Sequence, residues 1–153
     1  MTEDPADRTY HVTILHAGDY EFVAEFTDVP DAEPLLFDEP GPLSRNRAPN
    51  PVAVLGAAVG DCLATSLAFC LRKSRVGLHD LTAHVTTHVT RNDKGRVRIS
   101  GIDVELAPAI ADADRAKLAR CEQLFENFCI VTESVRQGIP VTVSVAQPEN
   151  VTK

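Results

Sequence analysis

Between Val52 and Leu71 the chain runs for twenty residues with a single charge, Asp61, and no other feature restricts the fold as severely. Asn50 and Pro51 open this run. An asparagine side chain can accept hydrogen bonds from the orphan N–H groups of a first helical turn, and proline is pre-set for the first helical position. The pattern predicts one helix over residues 50–75, stopped by Gly77. It is apolar on nearly every side, so it is expected in the middle of a core. Its length also meets the criterion for a membrane span. Asp61 at its centre would cost about 2.5–3.5 kcal/mol in lipid, and the rest of the chain reads as a soluble sheet. Gly56 and Gly60 would permit close backbone packing in either setting.

The flanking segments are strand-like. Val12, Ile14, Phe22, Ala24 and Phe26 recur at period two around Gly18, which predicts a hairpin over residues 9–26. Six of the ten prolines fall in residues 30–51, so that stretch reads as a long structureless arm, one solution for which is to lie against a second subunit. Residues 81–91 alternate Ala83, Val85, Thr87 and Val89 against His84, Thr86 and His88; residues 92–95 make a turn; residues 97–106 alternate again. An amphipathic helix is predicted over residues 111–128, with Leu118, Cys121, Leu124, Phe125 and Phe128 on one stripe. A short helical turn over 132–137 ends at Gly138, and a last strand runs from Pro140 to Val145. This mixture is an α+β fold, with tails at 1–8 and 148–153 around a single domain at 9–147.

Composition removes several function classes. The 153 residues fit one domain, and a chain this long builds a core without a disulfide scaffold. A net charge of −7 lacks the basic stripe of a nucleic-acid binder. The start of the chain shows no basic region followed by an apolar run, so a cytoplasmic, non-membrane protein is expected.

In such a reducing compartment the four cysteines, Cys62, Cys70, Cys121 and Cys129, are expected to be buried, catalytic or metal-bound. They fall as two pairs, each eight residues apart. Eight helical residues rise about 12 Å, so neither pair can share one zinc ion, whose sulfur ligands sit at about 2.3 Å. A CxxC redox motif is also missing. Cys70 and Cys121 read as small core residues. Cys129 sits where one helical segment ends and the next begins, where a helix N-terminus favours a thiolate; Cys62 follows Gly60 and Asp61 on the apolar helix. The residues alone leave the reactivity of both open, as they do the effect of Asp61 on its neighbour. His84 and His88 are about 13 Å apart on one strand face, too far to hold one metal, and His11, His16 and His79 show no partner in the sequence. The acidic run over 28–39 reads as a solvated loop.

Residues 50–62, Asn50-Pro51-Val52-Ala53-Val54-Leu55-Gly56-Ala57-Ala58-Val59-Gly60-Asp61-Cys62, resemble the Asn-Pro-Glu-x-Leu…Cys signature of the osmotically inducible protein C and organic hydroperoxide resistance (OsmC/Ohr) family. Residues 125–131, Phe125-Glu126-Asn127-Phe128-Cys129-Ile130-Val131, followed by Ser134-Val135 and Gly138-Ile139-Pro140-Val141, resemble its second-cysteine segment. Phe37-Asp38-Glu39-Pro40 is similar to members of the group as well, and the resemblance extends from about residue 10 to residue 146.

The resemblance implies an intertwined homodimer in which two β-sheets enclose long central helices. It implies a cofactor-free peroxidase: Cys62 as peroxidatic thiolate attacks a hydroperoxide and becomes a sulfenic acid, Cys129 condenses with it to a disulfide, and a lipoyl or thioredoxin-like dithiol restores both. Two departures stand out. Val52 occupies the place of the family's Glu, which holds an Arg beside the thiolate, and Ile130 follows the second cysteine where many members have Pro. The Arg has no motif here; Arg47 and Arg45 in the arm are the nearest candidates, with Arg8 further off. The loss of the Glu favours an alternative, an OsmC-like small-molecule or partner-binding protein without peroxidase activity. A scaffold with four core cysteines is a third reading.

Overall fold

The structure, a computed structural model, describes residues 5–148. Residues 1–4 and 149–153, most of the two tails assigned from sequence, lie outside the described residues. The chain divides into two compact units, one holding the residues up to 58 together with 84–105, the other holding 59–83 together with the residues from 106 onward.

The first unit begins with strands β1 (Val12–Gly18) and β2 (Glu21–Phe26), antiparallel, with Ile14 opposite Ala24 and Val12 opposite Phe26. Gly18, at φ +139°, makes the turn where an L side chain would be strained. The arm is not structureless, as the prolines suggested. Leu35–Phe37 forms β3 and pairs with β2, Phe37 opposite Phe22. Pro34 and Pro40 bracket these three residues without interrupting them, and an edge strand tolerates prolines at its ends. Directly after β3, Asp38 is buried at 1% exposure; its carboxylate accepts the N–H groups of Glu39 and Arg47, each at 2.8 Å, and the Ser44 hydroxyl. Those bonds, the Arg47 N–H first, hold its pKa below the ordinary carboxylate value. The arm is thereby folded back on itself.

Helix α1 (Pro51–Lys73) starts as expected: Asn50 Oδ1 accepts the Ala53 N–H at 2.9 Å. It ends on Arg75, not Gly77. Arg75 takes φ +56° and the Val76 N–H closes on the Leu71 carbonyl at 2.9 Å, a Schellman closure that an exposed arginine tolerates. In the first unit Gly56 is buried against Val85 and Thr87 of β4 (Asp80–Arg91). Strand β5 (Val97–Ala109) pairs with β4 through the turn at 92–95, where Asn92 Oδ1 accepts the N–H groups of Lys94 and Arg96.

The core of the second unit is laid down at a spacing of four. Val59, Leu63, Leu67 and Leu71 of α1 are buried, as are Cys121, Phe125 and Cys129. One helix face thus supplies the aliphatic wall. The opposite side is not enclosed, contrary to the expectation from its composition: Phe69 is exposed, and a third of the most apolar stretch is buried (33%). By length and composition alone α1 is long and apolar enough to cross a membrane.

The helix expected over residues 111–128 is broken into a short turn at Asp112–Asp114, helix α2 (Arg115–Glu122) and a 3-10 turn at Phe125–Phe128. Leaving helical geometry at Leu124 turns Phe125 and Cys129 inward and leaves Leu124 and Phe128 exposed, so the stripe is not a single face. Helix α3 (Ile130–Gln137) follows and stops at Gly138, φ +79°. The strand expected from Pro140 is not formed. Val141, Val143 and Val145 alternate as a strand would, but at 82%, 80% and 89% exposure they have no sheet edge to join among the described residues.

Candidate active site

Cys129 stands at the elbow between the 3-10 turn and α3. Its N–H reaches the Glu126 carbonyl at 3.0 Å and its carbonyl accepts the first helical bond, from Glu133, at 3.1 Å. It is the N-cap residue, yet its side chain does not cap the helix. The thiol instead donates to Thr132 Oγ1 at 3.0 Å, both groups being buried. The N–H groups of Val131 and Thr132, which a capping side chain would ordinarily receive, face the sulfur of Cys62. Helix α1 thus delivers a sulfur to the start of α3, where the amide dipoles favour negative charge.

Cys62 is half-buried and in hydrogen-bonding contact with the thiol of Cys129. Burial pushes the Cys62 pKa up, the nearby Cys129 adds to the rise, and the two α3 amides oppose it without reversing it. The exposed Asp61 next to it does not contribute to this shift. Arg136 bridges Glu126 at 2.6 Å and Glu133, tying the 3-10 turn to α3 on either side of the cysteine.

The other two cysteines are not simple core residues. Cys70 of α1 and Cys121 of α2 are disulfide-bonded, with Cα atoms 5.8 Å apart, inside the usual range for such a bond. Ser74 Oγ lies 3.7 Å from the Cys121 sulfur. Spacing within each sequence pair argued against a shared zinc ion, and the partners lie across the pairs. One signal was present: 62 + 129 and 70 + 121 both equal 191, the constant sum of two segments running antiparallel.

The three candidate arginines belong to the first unit. Arg8 and Arg45 are exposed, and the Arg47 guanidinium lies 3.5 Å from Glu21 Oε1. Three of the five histidines have local side-chain partners: His11 pairs with Asp28, His88 with Asp103 at 2.7 Å, and His16 packs on Phe22. Among the described residues no three potential metal ligands come together.

A long helix and a helix elbow that bring two free thiols together, on a chain with two antiparallel sheets, define an α+β two-thiol protein. Residues 44–144 match the OsmC-like protein family, and the chain belongs to that family. Solved structures share the fold. An OsmC-like protein of unknown function from Vibrio cholerae superposes with a TM-score of 0.71 at 14% identity, covering 83% of this chain and 93% of that one. An organic hydroperoxide resistance protein OsmC from Legionella pneumophila gives 0.63 at 16% identity, covering 85% and 90%. The organic hydroperoxide resistance protein OhrB of Bacillus subtilis gives 0.58 at 20% identity, covering 84% and 91%. No curated protein matches the sequence.

Proposed function

We propose that this chain is a thiol peroxidase that reduces organic hydroperoxides. The observation carrying the reading is the contact of the free Cys62 and Cys129 thiols at the start of α3. The Cys62 thiolate attacks the outer peroxide oxygen; the O–O bond breaks, the alcohol leaves after taking a proton, and Cys62 is left as a sulfenic acid. The Cys129 sulfur then displaces that hydroxyl as water and the disulfide forms. A dithiol returns two electrons and two protons and is itself left as a disulfide. Val131 and Thr132 supply amide N–H groups toward the sulfur that carries charge.

Arg47 is our candidate for the cation that supports the thiolate. Its side chain pairs with Glu21 of β2. The protein acts as a cytoplasmic homodimer in this reading: Phe69, Phe128, Ile130 and the valines at 141, 143 and 145 are apolar, exposed in one chain, and suited to a second copy.

Adding cumene hydroperoxide to protein whose Cys62 and Cys129 are reduced should consume two thiols, and peptide mapping should find a Cys62–Cys129 bond; Cys62→Ser should abolish turnover. The raised Cys62 pKa and Val52 favour a second reading, a binding module with the same architecture. Both thiols surviving excess hydroperoxide would decide for it.

A further inference from the structure

Helix α1 and the stretch from residue 121 to residue 129 are joined at two levels, by contact at Cys62 with Cys129 and by a bond at Cys70–Cys121. Eight helical residues separate the levels on α1, about 12 Å, which forbids sulfur exchange between them. The second pair therefore acts on the first only through the chain. At its far end the Glu126–Arg136 ion pair and the Cys129–Thr132 hydrogen bond join that chain to α3. Between Cys121 and Cys129 it makes single-turn bonds from Leu124 to Cys121 and from Asn127 to Leu124, with Leu124 and Phe128 in solvent and Phe125 as its buried anchor. A covalent tie at its first residue anchors the other end of the stretch and so helps to set where its last one, Cys129, stands.

The bond also has a direction. Cys121 is 1% exposed, whereas Cys70 is half-buried, so an incoming thiolate reaches the Cys70 sulfur. The Cys121 sulfur then leaves beside the Ser74 hydroxyl, which can donate to it. Resting on the peroxidase reading above, we propose that Cys70–Cys121 is a reducible latch: closed, it positions Cys129 for Cys62; opened by a dithiol, it slows closure of the Cys62–Cys129 bond. Opening proceeds by attack of one donor thiolate on Cys70 with release of the Cys121 thiolate, which takes a proton. The second donor thiol then displaces Cys70, leaving two protein thiols and an oxidised donor. Cys70 and Cys121 are positioning residues.

The test separates the two steps of the reaction. Cys70→Ala, Cys121→Ala and the double variant are challenged with cumene hydroperoxide, following loss of the Cys62 thiol and, with a 1,3-diketone trap, the lifetime of the sulfenic acid. Thiol loss should match wild type, while the sulfenic acid persists about tenfold longer, a cost typical of a small misplacement of a reacting group. All three variants should behave alike, because each loses the same bond. Wild type opened with dithiothreitol and desalted without air should behave as they do, which guards against a folding defect in the variants. Unchanged lifetimes, or effects that add in the double variant, would overturn the latch. If wild type forms no sulfenic acid the peroxidase reading fails, and diamide, which takes two electrons directly from the thiols, replaces the peroxide. Equal rates of Cys62–Cys129 closure in latched and opened protein would then overturn the latch.

Discussion

Burial, and after it the neighbouring Cys129 thiol, makes ionisation of Cys62 costly. Its reaction with iodoacetamide should therefore keep accelerating as pH rises through and beyond the ordinary thiol range, about 8.5, and Cys129→Ala should move that profile to lower pH. A flat profile would contradict the raised pKa. The linkage has the same sign: a proton held more tightly in the folded state favours folding below the unfolded thiol pKa. That contribution is lost as pH climbs through the raised value. Melting of the reduced protein, followed by circular dichroism, should fall over that window, and less so in Cys62→Ser. What was legible at this scale was local. Cys129 lies at a helix junction in any reading of the sequence, but its partner was suggested by family resemblance alone, and Cys70–Cys121 was missed because a bond spanning 51 residues leaves no mark on either neighbourhood.

The start of α1, set by adjacent residues, was read correctly; its end at Arg75 and the elements shaped by distant packing were not. Asn50 and Pro51 mark the start of α1 through a bond three residues long. Asn50→Ala should cost about 0.5–2 kcal/mol in urea unfolding. The break between α2 and α3, by contrast, lies in a stretch whose helical periodicity is unbroken; what bends it is the burial of Phe125 and Cys129, invisible to any pattern. β3 was hidden for a related reason, since three residues among prolines become a strand only because β2 offers an edge. Gly56 gives a sharper test at this scale. A methyl group there would collide with Thr87 Oγ1 and press on Val85. Gly56→Ala should lower the melting temperature by several degrees, about 1–3 kcal/mol of overpacking, and combining it with Thr87→Ala should recover most of the loss. Failure of the second change to help would place the strain elsewhere.

At the scale of the whole molecule, the composition asked for a larger interior than one chain provides. The helix expected at the centre keeps Phe69 in solvent, and a segment with the alternation of a strand, Val141, Val143 and Val145, lies unpaired among the described residues. Sedimentation should give twice the mass of one chain, and Val143→Asp should drive it toward monomer. A wild-type monomer at micromolar concentration would remove the second copy from the account. The carboxylate after β3 bears on the same question of control. Asp38 is held charged by amide N–H groups, so its contribution to stability is present above the ordinary carboxylate pKa and disappears only as pH falls through its still lower folded value. Acidification from neutral pH down to the ordinary carboxylate pKa consequently leaves the bonds around residues 38–47 in place. On the proposed chemistry the sulfurs answer to oxidants, while the carboxylate that ties down the loop bearing Arg45 and Arg47 keeps its charge at neutral pH.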